Sequence, residues 1–423
     1  MTMNARVDLS TKVKPRLTCR LCASKDLELV VPMEAIPQGD GYVPPDRVEE
    51  TKYLFPHGAN FCRACGHVQT TVDVDQSFIY KHYIWTTGIS PGLAASYKQY
   101  VDELATRFFP NGGAFATEIG CNDGTFTRIM RDRGFKVLGV EPAANLAERL
   151  TKDGIDVVCD FFTEKVAKEI IKTRGQADLI VANHVFANIN DNDEIIRGVK
   201  TLLKPDGVFS VQVFYLYDVM RSYLLENFNH EHPSYMYVRA LRQFFDRFGM
   251  ELFDVKRVET KGGSIRCFVQ HKGGKRAIGP GVKELIDKEE AMGLHKAETY
   301  KLLRDHISDT RANFAKHLAP LKKAGKKIAA YGTSIGATVF TYQYHLGEFI
   351  DFFVDDDKSR HGLVTPGFGI PVYPSDAIYE RKPDVVVVTA PLYADIIIGK
   401  HQKYLDQGGK FLVFRPEFKL ISR

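Results

Sequence analysis

A glycine-containing turn between two short apolar strands constrains the fold of this chain more than any other feature. The segment Glu118–Gly124 reads EIGCNDG, and a second apolar stretch, Val137–Val140, ends directly before Glu141. A strand, a glycine turn, a helix and a second strand closed by an acid form the first half of a Rossmann-type sheet. Glycine lets a ligand approach the backbone, and the terminal acid can hold two ribose hydroxyls. The alternative is an ordinary βαβ unit that binds nothing.

The spacing of this turn favours S-adenosylmethionine (SAM) over a dinucleotide. The third glycine of the dinucleotide motif is missing, and SAM has no pyrophosphate that would need it. Glu118 could bind the ammonium of the ligand or contact its loop, and Asp160 could accept from the adenine amino group, with a helix N-cap as the alternative. The predicted cofactor-binding residues are Glu118, Gly120, Asn122, Asp123, Glu141, Pro142, Asp160, Phe161, Phe162 and Asn183.

Two CxxC pairs near the start of the chain predict a metal site. Cys19 and Cys22 form the first pair, and Cys62 and Cys65 form the second. Each pair can present two thiolates on one tight turn, and four thiolates make a closed tetrahedral zinc site with no position left for water. The zinc is therefore expected to be structural. Disulfides or a single redox CxxC are the alternatives, but the chain shows no secretion signal and no thioredoxin-like context.

Length and charge limit the classes of protein to which the chain can belong. It has 423 residues and a formal net charge of +5, with basic residues spread along the sequence. Such a length predicts roughly two to three domains. The mild, dispersed charge argues against nucleic acid as a partner. No apolar run is long enough to span a bilayer, so the sequence predicts a cytoplasmic protein with no membrane contact.

The order of motifs predicts three regions. Residues 1–75 are expected to be a zinc-binding domain, residues 76–275 a doubly wound α/β domain, and residues 276–423 a helical connector followed by a second Rossmann-like unit. A helix is expected from Gly92 to Phe108, and a charged helix from Val282 to Leu321. In the last region, Gly332 and Gly336 near a helix N-terminus predict an anion pocket.

In this arrangement the chain resembles the sugar-nucleotide C-methyltransferases of deoxysugar pathways. Members of that family join a four-cysteine zinc head, a class I SAM-dependent methyltransferase domain with a doubly wound sheet, and a C-terminal Rossmann-like domain. The resemblance covers nearly the whole chain. Besides the four cysteines, it is carried by Glu118–Gly124, His230–Tyr235, Gly262–Arg266, Ala330–Gly332, Asp355–Lys358 and Thr365–Gly367.

The resemblance implies that a base removes a proton beside a sugar ketone, and that the resulting enolate carbon attacks the sulfonium methyl in line. His232 is the implied base, and Glu231 would orient it or bind a substrate hydroxyl. On an extended strand, His230 and His232 would share one face. A polar loop or a second metal site is the alternative for this segment. Tyr83, with Trp85 close by, would lie near the active site, or else pack between domains.

Three departures from the family pattern flank the expected substrate position. Asn229 stands where the family usually has tyrosine, and Gln212 stands where a glutamate is common. His184 and Asn188 appear exchanged relative to the family's asparagine and histidine. We therefore expect the SAM site to be retained, whereas the acceptor, or even the methylated atom, is open. His184 and Asn188 remain candidate catalytic residues.

The predicted partner is a small molecule, by resemblance a nucleotide-linked sugar. The alternatives are another O-, N- or C-methyltransferase of a small metabolite, a zinc-containing scaffold, and a dinucleotide-dependent oxidoreductase, which the absent GxGxxG disfavours. A monomer or weak homo-oligomer is expected. The predicted substrate-binding residues are Asn229, Tyr235, Gly332, Thr333, Ser334, Lys358 and Arg360.

Overall fold

A computed structural model describes residues 9–81, 86–89 and 91–423, and its strands form four sheets. The strands are β1 (Val13–Pro15), β2 (Leu27–Ile36), β3 (Phe55–Cys62), β4 (Val68–Thr70), β5 (Val72–Val74), β6 (Phe115–Ile119), β7 (Lys136–Val140), β8 (Val157–Val158), β9 (Ala177–Asn183), β10 (Leu203–Phe214), β11 (Ser234–Tyr235), β12 (Met250–Val258), β13 (Ser264–His271), β14 (Ile328–Tyr331), β15 (Phe352–Asp355), β16 (Val372–Pro374), β17 (Val385–Val388), β18 (Phe411–Val413) and β19 (Lys419–Ile421).

The described α-helices alternate with the strands in the central and C-terminal parts of the chain. They are α1 (Gln76–Tyr80), α2 (Pro91–Phe108), α3 (Thr125–Asp132), α4 (Ala144–Lys152), α5 (Glu164–Arg174), α6 (Asn192–Leu202), α7 (Leu216–Arg221), α8 (Val238–Arg247), α9 (Pro280–Met292), α10 (Lys301–Lys323), α11 (Ile335–Gln343), α12 (Ala377–Arg381), α13 (Ala394–Lys400) and α14 (Gln402–Asp406).

The central sheet has the order β12-β13-β10-β9-β6-β7-β8. Strands β6 to β10 are parallel to their neighbours among themselves, whereas β13 runs antiparallel to both β10 and β12. The strand order reverses between β6 and β9, and ligands bind in such sheets at this switch point, outside the carboxyl ends of the strands. The predicted doubly wound class I sheet is confirmed.

Helix α2 covers one face of the central sheet, as its sequence pattern predicts. Leu93, Tyr97, Tyr100, Val101 and Leu104 recur at helical spacing, and all are buried in one cluster with residues of the sheet. Each such burial stabilises the fold by about 1.5–3 kcal/mol. The helix starts one residue before the predicted boundary and ends where expected.

The N-terminal sheet recruits a strand from the middle of the chain. Its order is β11-β4-β3-β2, and β11 follows the His-Glu-His-Pro segment directly. Ser234 pairs with Gln69, and Tyr235 pairs with Val68. The zinc-binding region and the central region are therefore joined by backbone hydrogen bonds.

The C-terminal sheet has the order β16-β15-β14-β17-β18-β19, with β19 antiparallel and the others parallel. It packs against the N-terminal region through α11. The buried Gln343 side chain donates to the carbonyl of Glu34 and accepts from its backbone N–H, both at 2.9 Å. Thr338 donates to the carbonyl of Gly39 at 2.7 Å. These contacts place the start of α11 beside the central cavity.

Two details differ from the sequence expectations. The charged helix expected from Val282 to Leu321 is two helices, α9 and α10, because Gly293 ends α9 in the left-handed conformation (φ 79°). The three cysteines without partner spacing are expected to be buried as small hydrophobic residues, and Cys121 and Cys267 are buried, but Cys159 is exposed. None of the helices described is long and apolar enough to cross a membrane.

Candidate active site

The four predicted metal ligands form one cluster. The Sγ atoms of Cys19, Cys22, Cys62 and Cys65 all lie within 4.8 Å of one another. Sγ of Cys19 lies 3.6 Å from that of Cys65, and Sγ of Cys22 lies 3.5 Å from that of Cys62. Four converging thiolates fit a closed tetrahedral zinc site, so zinc would be structural here.

A cavity of about 460 Å³ opens at the switch point of the central sheet. The carboxyl ends of β6, β7 and β9 form its floor, and α1, the His-Glu-His segment and the first residue of α11 contribute walls. Its polar lining includes Gln76, Tyr80, Glu118, Asn122, Glu141, Asn183, His184, Asn188, Asp191, Glu194, Glu231, His232 and Lys261.

At one end of the cavity, Glu141 holds the glycine turn in place. One carboxylate oxygen accepts from the backbone N–H of Asn122 at 2.7 Å, and the other accepts from that of Ala143 at 3.0 Å. Gly120 has φ 65°, and a Cβ there would come within 2.5 Å of Val185. Each carboxylate oxygen keeps a second lone pair for a ribose hydroxyl. Pro142 lines the cavity beside this acid.

Glu118 lies buried at the end of β6, on the cavity wall. It accepts hydrogen bonds from Thr127 and, at 3.3 Å, from the amide of Asn183. Burial raises the pKa of Glu118 to about 8. The Oδ1 of Asn183 is buried and has no hydrogen-bond partner among the described residues. These two side chains could therefore hold the charged amino-acid end of SAM.

Two of the predicted cofactor residues lie outside the cavity lining. Asp160 is exposed and accepts from the backbone N–H of Phe161. The N-cap of α5 is Thr163, so the N-cap interpretation is wrong, and the adenine contact of Asp160 stays a prediction. Asp123 accepts from the backbone N–H groups of Gly88 and Thr125 and so orders the loop rather than facing the cavity. Phe161 and Phe162 do line the cavity, where they could stack on an adenine ring.

His232 reaches the cavity from the segment before β11. Its Nδ1 lies 3.1 Å from the carbonyl of Asn227 and 3.2 Å from the amide nitrogen of Asn229. Because a carbonyl only accepts, the tautomer that bonds to Asn227 carries its proton on Nδ1 and keeps the lone pair on Nε2. The ring packs against Phe214 at a centroid distance of 4.9 Å. Burial lowers the pKa of His232 to about 4, so the imidazole is neutral at physiological pH.

His184 faces the same cavity end and is held by the unexpected glutamine. Gln212 accepts from Arg266 Nε at 3.0 Å, which fixes its amide so that its Nε2 donates to His184 Nε2 at 3.1 Å. Burial lowers the pKa of His184 well below its usual value. Its Nδ1 is buried with no partner in the described part of the chain. Asn188 also lines the cavity, and its carbonyl accepts from Gln76.

The expectation that His230 and His232 share one face of a strand is wrong. The segment is a turn rather than an extended strand, because His232 donates its backbone N–H to the carbonyl of Asn229 at 3.2 Å. His230 instead lies 3.0 Å from the carbonyl of Pro56 and packs on His57. Its side chain lies outside the large cavity and packs against the zinc-binding region.

Two predicted substrate residues beside it also serve the local structure. Asn229 is buried, accepts from the backbone N–H of Glu231 at 2.9 Å and donates to the carbonyl of Glu226 at 2.9 Å. Tyr235 is fully buried and stacks on Phe228 at 4.1 Å. Neither side chain lines the large cavity, because each is used in holding the loop. Tyr83 and Trp85 lie outside the described residues.

Two residues of the predicted anion pocket in the C-terminal region are bonded to protein carboxylates. Thr333 donates both its backbone N–H and its hydroxyl to Asp355, each at 2.7 Å. Arg360 is ion-paired with Asp40 at 2.5 Å. Gly332, Thr333, Ser334, Lys358 and Arg360 are all absent from the described cavity lining, whereas the neighbouring Ile335 belongs to it.

Sequence reasoning missed Lys261, which lines the cavity beside Glu231. The signal that could have found it is a lysine directly before two glycines, Gly262 and Gly263, in the turn between β12 and β13. It also missed Tyr80, whose hydroxyl donates to the carbonyl of Glu231 at 3.1 Å. Both residues lie in short connecting turns or helices with no periodic pattern.

Three families match successive parts of the chain. Residues 19–80 match a family described as "Putative zinc binding domain", residues 94–255 match "Methyltransferase domain", and residues 259–416 match "C-methyltransferase C-terminal domain". The zinc match contains the four-cysteine cluster, and the methyltransferase match contains β6 to β11 with most of the cavity.

Individual proteins are also similar to the chain. The C-methyltransferase NovU of Streptomyces niveus is 28% identical over 97% of this chain and 98% of its own length. A SAM-dependent methyltransferase structure from Clostridium acetobutylicum ATCC 824 is 15% identical over 43% of this chain and 92% of its own, with a TM-score of 0.35. The PH0226 structure from Pyrococcus horikoshii OT3 is 12% identical over 47% and 98%, also with a TM-score of 0.35. The chain therefore joins matches to a zinc-binding domain, a methyltransferase domain and a C-methyltransferase C-terminal domain, and it is similar to a C-methyltransferase along nearly its whole length.

Proposed function

We propose that this enzyme methylates a carbon next to the ketone of a nucleotide-linked keto-deoxysugar, and that His232 is the base. The observation that carries the chemistry is the half-buried, neutral imidazole of His232 in the cavity lining, whose Nδ1 lies 3.1 Å from the carbonyl of Asn227, so that Nε2 is the nitrogen that would act on the acceptor. The acceptor class comes from the resemblance to sugar-nucleotide C-methyltransferases. A relative that is itself a C-methyltransferase over its whole length supports methylation of carbon.

The residues at the floor of the cavity fit SAM. Glu141 would bind the ribose hydroxyls, and Glu118 with Asn183 would bind the amino-acid end, where the Asn183 oxygen has no protein partner among the described residues. Phe161 and Phe162 would border the adenine. When bound there, SAM supplies an electrophilic methyl group on a sulfonium.

The opposite wall carries the groups that would act on the acceptor. A proton on carbon beside a ketone is weakly acidic, so it needs a positioned base and stabilisation of the enolate oxygen. His232 Nε2 would take the proton. Glu231 and His184 line the same wall, where they could bind hydroxyl or carbonyl oxygens of the acceptor.

A second candidate is another small carbon acid without a diphosphate. It is favoured by one observation: two of the C-terminal residues that we predicted for phosphate, Thr333 and Arg360, are bonded to Asp355 and Asp40 instead. The two candidates differ in whether the nucleotide contributes to binding. Calorimetric titration with thymidine diphosphate, in the presence of S-adenosylhomocysteine (SAH), separates them, because only the first predicts binding of the nucleotide alone.

The direct test measures carbon deprotonation separately from methyl transfer. The protein is incubated in D2O with SAH and a thymidine-diphosphate-linked 4-keto-6-deoxyhexose, and exchange at the acceptor carbon is followed by NMR. His232→Gln should lower exchange and methylation by roughly 10²–10⁴-fold. His230→Gln is the matched control and should retain both, because its ring faces Pro56 and His57. Methylation without any exchange would instead indicate transfer to oxygen or nitrogen.

A further inference from the structure

Lys261 has a left-handed backbone conformation that residues other than glycine rarely adopt. Its φ is 52° and its ψ is 38°, inside the short turn Thr260–Gly262 that joins β12 to β13. Such left-handed residues persist only where the surrounding structure holds them, and they concentrate at functional sites. The two residues that follow, Gly262 and Gly263, also have positive φ (81° and 125°), so Lys261 is the non-glycine residue in a run of three such positions.

The turn that carries Lys261 is fixed from both sides. The carbonyl of Thr260 accepts from the backbone N–H of Gly263 at 3.1 Å and from the Ser264 hydroxyl at 2.9 Å. The hydroxyl of Thr260 accepts from Gln212 Nε2 at 3.3 Å. The same amide nitrogen donates to His184, so Gln212 links the His184 ring to the lysine turn. These hydrogen bonds fix the backbone of the turn, and so they fix the point from which the Lys261 side chain extends.

Charge around the cavity is distributed unevenly. Its described lining contains the acids Glu118, Glu141, Asp191, Glu194 and Glu231, and Lys261 is the one lysine or arginine among these lining residues. Lys261 lies on the wall of His232 and His184, and its charge lowers the pKa of both. A cationic methyl donor fits the acidic part of the cavity, and an anion fits only beside Lys261.

We propose that Lys261 stabilises the oxygen anion that forms on the acceptor carbonyl when His232 removes the neighbouring carbon-bound proton. This inference rests on the proposed function. The C–H bond breaks, its proton goes to Nε2 of His232, and its electron pair moves through the carbon–carbon bond to leave a negative oxygen beside the ammonium. The enolate carbon then forms a bond to the methyl carbon, the carbonyl re-forms, and the electrons of the broken S–CH3 bond stay on sulfur.

The pH dependence supplies a readout that a purely structural lysine would not change. The Lys261 side chain is exposed on the cavity wall, and the protein around its ammonium lowers its pKa to about 8, while the carboxylate of Glu231 opposes this shift. The other titratable groups on this wall are His184 and His232, and Arg266 lies outside the cavity lining, where it donates to Gln212. Because the ammonium must be charged to hold the oxyanion, kcat should fall as the pH rises above about 8.

The experiment compares Lys261→Met and Lys261→Arg with Lys272→Met, an exposed lysine just beyond β13. Each is assayed for exchange and methylation with the thymidine-diphosphate-linked 4-keto-6-deoxyhexose and for SAH affinity by calorimetry. Lys261→Met should lower kcat and the exchange rate by roughly 10²–10³-fold, with unchanged acceptor KM and SAH affinity. Lys261→Arg should retain more activity and lose the alkaline decline of kcat, because guanidinium stays charged.

The possible results separate the two proposals. A Lys261→Met enzyme with normal kcat and a raised acceptor KM would show that the lysine binds the ground state, and it would overturn the oxyanion role alone. An alkaline decline that persists in Lys261→Arg would also overturn it. A wild-type protein that neither exchanges nor methylates this sugar would overturn the proposed substrate, and the inference with it. Unchanged SAH affinity in both variants verifies that the cavity is folded.

Discussion

Arg20 lies between Cys19 and Cys22, the CxxC pair that we call the first zinc knuckle; Cys62 and Cys65 form the second. Its guanidinium donates at 3.1 Å to the carbonyl of Pro233, the residue directly after His232. The backbone N–H of Thr70 donates to the same carbonyl at 2.9 Å. From there β11 continues as the edge strand of the zinc-binding sheet. The residue proposed as the base is therefore positioned by the zinc-binding region, although the cavity belongs mostly to the central sheet.

Replacing Arg20 by lysine should weaken both the fold and catalysis. The Arg20 side chain is fully buried and also donates to Thr70, Val72 and Asp73, and a lysine has too few donors to serve all of these acceptors. Leaving buried acceptors unpaired costs about 1–3 kcal/mol. We expect a loss of that size in the free energy of unfolding, measured by urea titration, together with a lower kcat.

The second knuckle provides the matched control. Arg63 occupies the equivalent position between Cys62 and Cys65, but its side chain is 59% exposed and pairs with Glu28 at the surface. Exposed ion pairs contribute about 0–1 kcal/mol. Arg63→Lys should therefore leave unfolding and turnover close to wild type. Equal effects of the two substitutions would refute a specific role for the Arg20–Pro233 contact.

Removal of zinc should abolish catalysis before it abolishes cofactor binding. The cluster closes the segment between the two knuckles, and that segment includes β2 and most of β3. Losing the metal should release β4 and the paired strand β11, and with them His232. The SAH-facing residues Glu118, Glu141 and Asn183 belong to the central sheet and should remain. We expect chelated protein to lose methylation while calorimetry still detects SAH, and parallel loss of both would contradict this division.

Much of the architecture could be predicted because it depends on residues that are close together in the sequence. The strand–glycine–helix–strand order around Gly120 and the paired CxxC motifs depend on short spacings, and the structure confirms both the sheet and the cysteine cluster. The buried face of α2 could be predicted in the same way, since helical periodicity is a property of one segment. Sequence-local rules sufficed wherever the determining residues are near one another along the chain.

The features of the site that could not be predicted depend on contacts between residues that are far apart in the sequence. Thr333 looked like a phosphate ligand, but Asp355 at the end of the next strand takes both of its donors. His230 and His232 were expected to share one face of a strand, but hydrogen bonds to Asn229 fold this segment into a turn and direct the two rings to different places. Lys261 carries no motif of its own, and only folding brings its turn to the cavity wall.

Glu141→Gln should weaken SAH binding through the glycine turn. Both oxygens of Glu141 accept backbone N–H groups, and a glutamine would direct an amide NH2 at one of them. A misplaced donor in this buried position should cost about 1.4–2.8 kcal/mol, equivalent to a roughly 10- to 100-fold higher Kd. Glu148→Gln, an exposed acid on α4, is the control and should bind SAH normally in the same calorimetric titration.

Glu118 should make SAH binding depend on pH. Its pKa of about 8 means that the unliganded protein carries a neutral carboxyl at pH 7, because burial penalises the carboxylate. Pairing with the ligand's ammonium requires the carboxylate, so binding must release this proton. Affinity should therefore increase up to tenfold per pH unit from pH 6 to about 8 and then level off.

The same shift fixes the sign of the stability effect in the unliganded protein. An unfolded chain releases this proton near 4.5, whereas the folded chain holds it until about 8. Glu118 thus contributes stability at acidic pH that is lost as the pH rises through that interval, and bound SAH should offset the loss. Calorimetry of SAH binding in buffers of different ionisation enthalpy should show close to one proton released at pH 7. Glu118→Gln should bind SAH more weakly at pH 8, release no proton and show a flat pH profile, whereas a profile as steep as that of the wild type would assign the proton to another group.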